Sequence, residues 1–489
     1  MKKRKRALGL TVILTVVIVA LVGSFTWIHF NTTRQLPLLS SQETKDLPKV
    51  KVSGAVSQTD NDGPVVKFDF HDKKTKKKVT AYAKMEWQGQ SSRKFPQKNW
   101  KLKFYKDKQL KHKYKWRANP GWKKHSVYVL KANYVDATQS RNVVNANLWS
   151  QMVATRQGAP KQLASSQNNG AISGFPVEMK VNGDDWGMYT LTTAKEPKLW
   201  GMDKKNPNNI AISSNQWTRG DMFWSTNVAY TEHGWTSEQP KTWTPAQKQA
   251  FERLDNFVVN SSDKDFKAHA SEYLDVNSVI DMYLFTNLTH DQDGLGRNLM
   301  LITYDGKHWS TTMYDIDATW GLYENGKKLY PSGQAVSHNY PNHGDMATAE
   351  GNRLLQRVAA AYPDRVQDRW KSLRKTTLTP DKVTSQFSTY MNDIGEQNYQ
   401  NNIQLNPGIP SAKITSLMQL KQSINKQFKT SDALFDNYTE NVKKLDFSYH
   451  APTMSAAESE SIKAASKASQ AAKVKNSDTE STTTSTVQK

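Results

Sequence analysis

The stretch "DQDGLGRNLMLITYDGKHWSTTMYDIDATWG" at 291–321 gathers hard oxygen donors at two places. Asp293 and Asn298 stand just before one apolar, strand-like run, and Asp315 and Asp317 just after a second. Asp305-Gly306, roughly midway between them, is a turn signal. If the two runs pair antiparallel, their outer ends meet and the four side chains converge. Asp315 and Asp317 are two apart, so an extended backbone turns both toward one side. Carboxylate and amide oxygens meeting at one point suit Mg²⁺, Mn²⁺ or Ca²⁺. Any one of these Asp residues taken alone is more commonly a turn cap.

A carboxylate, an amide five residues on, a hairpin and then another carboxylate is the order used by protein kinases. There the first Asp accepts the proton of the substrate hydroxyl, and the Asn and the later Asp hold metal against ATP phosphates. Asp291 has the wrong spacing from Asn298 for the first role. Two further segments fit this chemistry. "WQGQSSRKFPQKNWKLKF" places Gly89, Ser91, Ser92 and Arg93 in a turn between two strands, with Lys98 opening the second. Such a turn and lysine can cover and grip phosphates; the plainer reading is a surface hairpin with a solvated lysine. "LKANYVDATQSRN" sets Asp136 and Arg141 five apart across a helix start, with Arg141 as a nucleotide-binding group or the two simply as a cap and a local ion pair. His338 and His343, in "SHNYPNHGDM", have no third ligand at a readable spacing and are read as loop residues.

Strands come first in the elements that must position these groups, and helices later. "VVKFDFHD" alternates at period two, and "VTAYAKMEWQG" and "NWKLKFYKD" also read as strands. "FPVEMKVNGDDWGMYTLTT" reads as a hairpin around Asn182-Gly183. "SVIDMYLFTNLTH" has helical spacing behind a Ser278 cap. "GNRLLQRVAAAYPDRVQDRWKSLR" and "ITSLMQLKQSINKQFK" read as later helices. The expectation is an α+β fold, an antiparallel sheet followed by helices, in one bilobal domain over 51–450.

The chain has 489 residues and a formal net charge of +22, from 67 Lys and Arg against 45 Asp and Glu. Such a field favours polyanions. Five basic residues, Lys2 to Arg6, precede Ala7–Ile28, 22 residues without a charge. That is enough to cross a bilayer core of about 30 Å as a helix. Residues 1–30 are therefore read as a basic cytoplasmic stub and an uncleaved signal-anchor, with the bulk of the chain outside a bacterial membrane. This compartment argues against nucleic acid and for anionic wall polymers or lipid. Residues 31–50 read as a linker. Residues 451–489, without an aromatic residue and rich in Ser, Ala, Lys and Thr, read as a disordered tail. With no cysteine, the fold must stand on its core, and thiol catalysis is excluded.

"GQSSRKFPQKNWKLKF", "LKANYVDATQSRN", "VEMKVNGDDWGMYTL", "DGLGRN" and "YDIDATWG" follow one another in the order seen in the CotH family of spore-coat-protein-H-like atypical kinases, which this chain resembles over about residues 80–325. The resemblance implies a kinase-like fold, ATP with Mg²⁺ or Mn²⁺, and phosphorylation of Ser or Thr on secreted or surface proteins. It implies Asp293 as the catalytic Asp, Asn298, Asp315 and Asp317 as metal ligands, and Lys98 as the phosphate-gripping lysine. Two positions depart from the family: Gln88-Gly89 stands where Arg-Gly is usual, and Thr193 where a Glu is usual. In kinases such a Glu orients the lysine. The alternative function is a non-catalytic binder of wall glycan or anionic polymer, which the many Trp and Tyr residues also suit.

Overall fold

Alternating apolar and polar residues build the first half of the chain. The computed structural model describes residues 38–41, 43–60, 63–330 and 351–447. The expected anchor at 7–28, His338, His343 and the tail at 451–489 lie outside the described residues. Among those described, no helix is long and apolar enough to cross a membrane.

Seven strands close a barrel: β1 (Lys49–Ser53), β2 (Val65–Asp72), β3 (Lys77–Gln88), β4 (Asn99–Tyr105), β5 (Val127–Lys131), β6 (Gly174–Val181) and β7 (Asp184–Thr193). The order around it is β1-β2-β3-β4-β5-β7-β6. Every neighbouring pair but one is antiparallel; β1 and β6 run parallel, from Lys49 opposite Glu178 to Val52 opposite Val181. The expected purely antiparallel sheet is therefore a mixed one that closes on itself. Val50, Phe68, Met85, Trp100, Phe104, Tyr128 and Met179 fill the interior. Phe68 and Phe104 meet edge to face with ring centroids 4.8 Å apart, a geometry that aligns positive ring edge with negative face.

A second sheet has the order β11-β10-β8-β9. Its strands are β8 (Ile210–Ser214), β9 (Trp235–Gln239), β10 (Leu299–Thr303) and β11 (Trp309–Met313). Helices pack against it. Val276–Thr289 is buried on nearly every side, and its N-cap is Asp275, whose side chain accepts from the Ser278 amide; the cap thus lies three residues before the expected Ser278. The segment expected as one helix after residue 350 is two, Arg353–Ala361 and Pro363–Thr376, because Pro363 has no N–H to continue the first. The later expected helix is Leu417–Phe435, capped by Ser416.

Part of the expected linker belongs to the fold. Leu38, Leu39 and Leu47 are buried, the Leu39 amide donates to Glu396 Oε2 at 2.7 Å, and Asn398 Nδ2 donates to the Lys45 carbonyl at 2.8 Å.

One buried acid weakens this packing in a pH-dependent way. Asp255 lies on the core-facing side of the helix Pro245–Asn260, and its Oδ1 has no partner. Burial, helped by the charge of Glu252, pushes its carboxyl up to about 7. A raised acid pKa gives a contribution that is full below the unfolded value near 4 and is lost as pH rises through 7. Asp255→Asn should therefore raise the melting temperature at pH 8, by an amount corresponding to a few kcal/mol, and change little at pH 4. Equal shifts at both values in a thermal-melt series would refute this account.

Candidate active site

The hairpin β10–β11 brings its two acidic ends together. Leu299 pairs with Met313 and Thr303 with Trp309. At the far end Asp305 Oδ1 accepts from the amides of Lys307 and His308 at 2.8 and 2.9 Å, closing the turn. At the near end, Asn298 Nδ2 donates to the backbone carbonyl of Asp315 at 2.9 Å, and the Asn298 amide donates to the Asp293 carbonyl at 2.8 Å. Asp315 itself has φ +64°, a left-handed conformation uncommon outside Gly. Backbone strain of this kind is concentrated at functional sites.

The helix Arg141–Ala154 positions the segment that follows the hairpin. Asn142 Nδ2 donates to Asp315 Oδ1 at 3.3 Å. Asn145 Nδ2 donates to the Ile316 carbonyl at 2.9 Å and to Thr319 Oγ1 at 2.7 Å. Trp320 Nε1 returns a bond to Asn145 Oδ1 at 2.8 Å. Two neutral amides on one helix thus hold the segment after the hairpin, Asn142 at the Asp315 carboxylate and Asn145 at the Ile316 backbone.

The cation facing Asp315 comes from the barrel. Along β5 Tyr128 and Leu130 point into the interior, so alternation turns Val127, Val129 and Lys131 outward. The Lys131 ammonium forms an ion pair with Asp315 Oδ1; the lysine side chain is 3% exposed and the aspartate 34%. A second pair lies beside it, Lys195 Nζ to Glu238 Oε1 at 2.6 Å. The two ammonium groups sit 5.2 and 5.1 Å from the centroid of the Tyr314 ring.

These neighbours divide the carboxylates. Burial pushes Asp315 up, but the Lys131 charge outweighs it and holds the carboxyl below its ordinary range. Burial and the Asp315 charge push Asp317 up to about 7. Burial pushes Asp293 up to about 6 against the opposing pull of Arg297. One oxygen of Asp293, Oδ1, is buried without a partner.

A family model for CotH kinase proteins matches residues 85–431, well over half of the chain. The chain belongs to the CotH kinase protein family. No curated protein matches it significantly. The α+β architecture, a barrel followed by helices, is consistent with a kinase-like fold, and family membership implies a protein kinase that uses ATP.

Within this CotH chain the candidate residues fall into two groups. Asp293, Asn298, Asp315 and Asp317 come together at the hairpin end. Lys98 is engaged within its own loop. Its ammonium donates to the carbonyls of Arg93 and Phe95, at 2.8 and 2.5 Å, and lies 4.9 Å from the Trp87 ring centroid, so it closes its own loop. Gly89, Ser91, Ser92 and Arg93 do form a tight turn, with a 3₁₀ segment Ser91–Lys94. Gly89 has φ +99°, and a Cβ there would lie 2.1 Å from Ser92 Oγ. Only glycine fits without remodelling the turn.

Arg141 is engaged in the interior. It is fully buried, paired with Asp136 at 2.5 Å, and donates to the Thr319 carbonyl at 3.0 Å and to Gln419 Oε1 at 3.1 Å. With its donors engaged in the interior, it ties the "DATW" segment to the helix Leu417–Phe435 and is not placed to meet a phosphate. Thr193 is buried, its Oγ1 accepting from the Ser173 amide at 3.0 Å. Asp291 is buried behind Asp293, accepts from the Gly294 amide at 3.0 Å, and is pushed up to about 8 by burial and by Asp293.

Lys131, Lys195 and Glu238 escaped the sequence reading. A signal for the first existed. A lysine inside the apolar run "VYVLKA" must be buried in a strand, and buried lysines are paired.

Among the described residues, no three His, Cys, Asp or Glu side chains stand close enough together, as arranged, to hold a metal ion. The donor set still fits a hard divalent cation. Asp293 Oδ1 is a buried acceptor without a partner, and the Asp315 charge acts on Asp317. A cation there would add to the positive charge that Lys131 and Lys195 supply to Asp315.

Proposed function

We propose that this chain is a metal-dependent atypical protein kinase that transfers phosphate from ATP to Ser or Thr hydroxyls of surface or secreted proteins. One observation carries the reading: the strained Asp315, paired with Lys131 from the barrel, lies at the same hairpin end as Asp293, whose Oδ1 is without a partner. Asp293 takes the acceptor hydroxyl's proton. Asn298, Asp315 and Asp317 would hold Mg²⁺ or Mn²⁺, which supplies neutralising charge for the transferring phosphate. Lys131 takes the phosphate-gripping role expected of Lys98. The Gly89–Arg93 turn covers the phosphates through its backbone. For transfer of this kind positioning and electrostatics supply most of the catalysis, and the cleft's fixed amides and lysines suit that task.

We propose that the catalytic domain lies outside the membrane, anchored through Ala7–Ile28. The second reading is a non-catalytic binder of anionic wall polymer or lipid. It draws on the net charge of +22 and on Thr193, which offers no carboxylate to a lysine. Full-length protein incubated with labelled ATP and Mn²⁺ or Mg²⁺ separates the two. Transfer of label to the chain itself or to a casein-type acceptor, lost with Asp315→Ala, is the expected result. Absence of both nucleotide binding and transfer with either metal would leave the binder.

A further inference from the structure

The positive charge is not spread evenly along the chain. Residues 49–126, from β1 to the start of β5, hold 22 of the 67 Lys and Arg but only six of the 45 Asp and Glu, and so supply sixteen of the net +22. Strand direction gathers much of this at one end of the barrel. Asp72 at the end of β2 stands opposite Lys77 at the start of β3, and β4, antiparallel to β3, returns toward that end at Tyr105. The turn at 73–78 and the segment at 106–117 therefore project from the same end. Four of the five lysines in the turn and all six Lys and Arg in the segment are exposed.

The acids nearby are already engaged. Asp72 accepts from the Lys74 amide at 2.9 Å and the Thr75 hydroxyl at 2.6 Å. Asp107 accepts from the amides of Lys111 and His112 at 3.0 and 2.9 Å. Asp46 pairs with Lys73 at 2.8 Å, Glu178 with Lys49 at 3.3 Å, and Asp69 with Lys67 at 3.8 Å. Burial, with the charges of Lys115 and Lys123, pushes Lys198 down against the pull of Glu196. Lys74, Lys78, Lys108 and Lys111 form no ion pair among the described residues. A few surface lysines are ordinary solvated groups. So many like charges at one end, with the acids matched one by one, repel one another until an outside anion neutralises them.

The path of the chain selects among anionic partners. Residues 29–37 join the apolar run Ala7–Ile28 to Leu38, and nine residues span about 30 Å at most. Eight residues further on, Asp46 is paired with the basic turn through Lys73. A tether this short holds one anionic surface, the membrane, at high effective concentration. The charges also sit on loop tips at a strand end, which offers a patch to a surface rather than a groove to a linear polymer. We propose that the barrel end formed by the 73–78 turn and the 106–117 segment docks on anionic phospholipid headgroups. The proposal rests on anchoring through Ala7–Ile28 and adds an orientation to it. The Gly89–Arg93 turn joins the opposite ends of β3 and β4, so docking turns the turn assigned to phosphate away from the membrane.

The chain has no cysteine, so Gln109→Cys allows a dye at the basic end alone, and Asp184→Cys one at the opposite end, on the β6–β7 turn. Each full-length protein is reconstituted into nanodiscs carrying a headgroup acceptor dye, of phosphatidylcholine alone or with phosphatidylglycerol added. On anionic discs, energy transfer from position 109 should exceed that from 184 at physiological salt, and the excess should vanish near 1 M salt, where screening shortens to about 3 Å. Lys74→Gln, Lys78→Gln, Lys108→Gln and Lys111→Gln together should at least halve the excess while leaving the melting temperature unchanged. Equal transfer from both positions on both lipids, with the protein retained on neutral discs at high salt, overturns docking and leaves the anchor standing. Release from neutral discs at high salt removes the anchor and the proposal with it. Binding of inorganic polyphosphate that depends on the four lysines, without any excess on anionic discs, assigns this end to a polymer and overturns the lipid partner.

Discussion

Asp293→Asn will leave MgADP affinity within about threefold of the parent and lower phosphate transfer by a factor on the order of a thousand, the range of a lost general base. The substitution keeps shape and removes the group that takes the acceptor proton. Asp293 lies at the hairpin end with Asn298 bonded to its backbone, so the loop has no reason to move. Asp315→Asn should behave differently. It removes the carboxylate that Lys131 now faces, so metal-dependent nucleotide binding should fall along with transfer. The pair of variants in one titration and one transfer assay separates the two roles. If Asp293→Asn retains a third or more of parental transfer, the proton acceptor is another group.

Arg141→Ala has the second large expected effect, and it is on stability. Removing one partner of a buried pair leaves Asp136 charged in the interior, a loss of about 3–5 kcal/mol. That is a large share of the roughly 5–15 kcal/mol that holds a typical domain together. The same change releases the Thr319 carbonyl and Gln419, so the "DATW" segment should loosen first. The expected result is a drop of several degrees or more in melting temperature, or insoluble protein. Arg141→Lys should recover little, because one ammonium cannot reach three partners in a planar fork. A stable Arg141→Ala protein with selectively weakened MgADP binding would restore the arginine to the nucleotide site.

What the sequence made legible was local. The acidic hairpin could be read because a turn signal, two short apolar runs and four donors lie within about two dozen residues, and antiparallel pairing then forces the ends together. Two helical segments after residue 350 could be read from periodicity, with Pro363 dividing the first, while the helices Pro380–Ile394 and Glu396–Leu405 were not read. The barrel was harder. Its closing contact joins strands far apart in the chain by parallel pairing, for which no turn exists to give a signal. The lysines show the same division. Lys98 looked right because it opens a strand beside a glycine turn, but where an ammonium group reaches is a tertiary matter. Loop carbonyls of Arg93 and Phe95 satisfy it. Lys131 was readable only by asking why an apolar strand should carry a charge, and Lys195 with Glu238 not at all, since nothing local links them. Of the plainer reading of Asp136 and Arg141, the ion pair is present, while the helix N-cap is Ser140.

The parallel seam between β1 and β6 also governs the order in which the chain can fold. Lys49 must wait for Glu178, a loop of roughly 130 residues whose closure entropy comes due before the seam returns any contact. Until β6 emerges, the outer edge of β1 is an unpaired template for another chain. Lysines at 49 and 51 on that edge repel a second copy of it, and "KKTKKK" at 73–78 charges the adjoining β2–β3 turn. A small part of the basic residue content that reads as affinity for polyanions would thus also serve newly made molecules, keeping half-built barrels apart in the slow interval before they close.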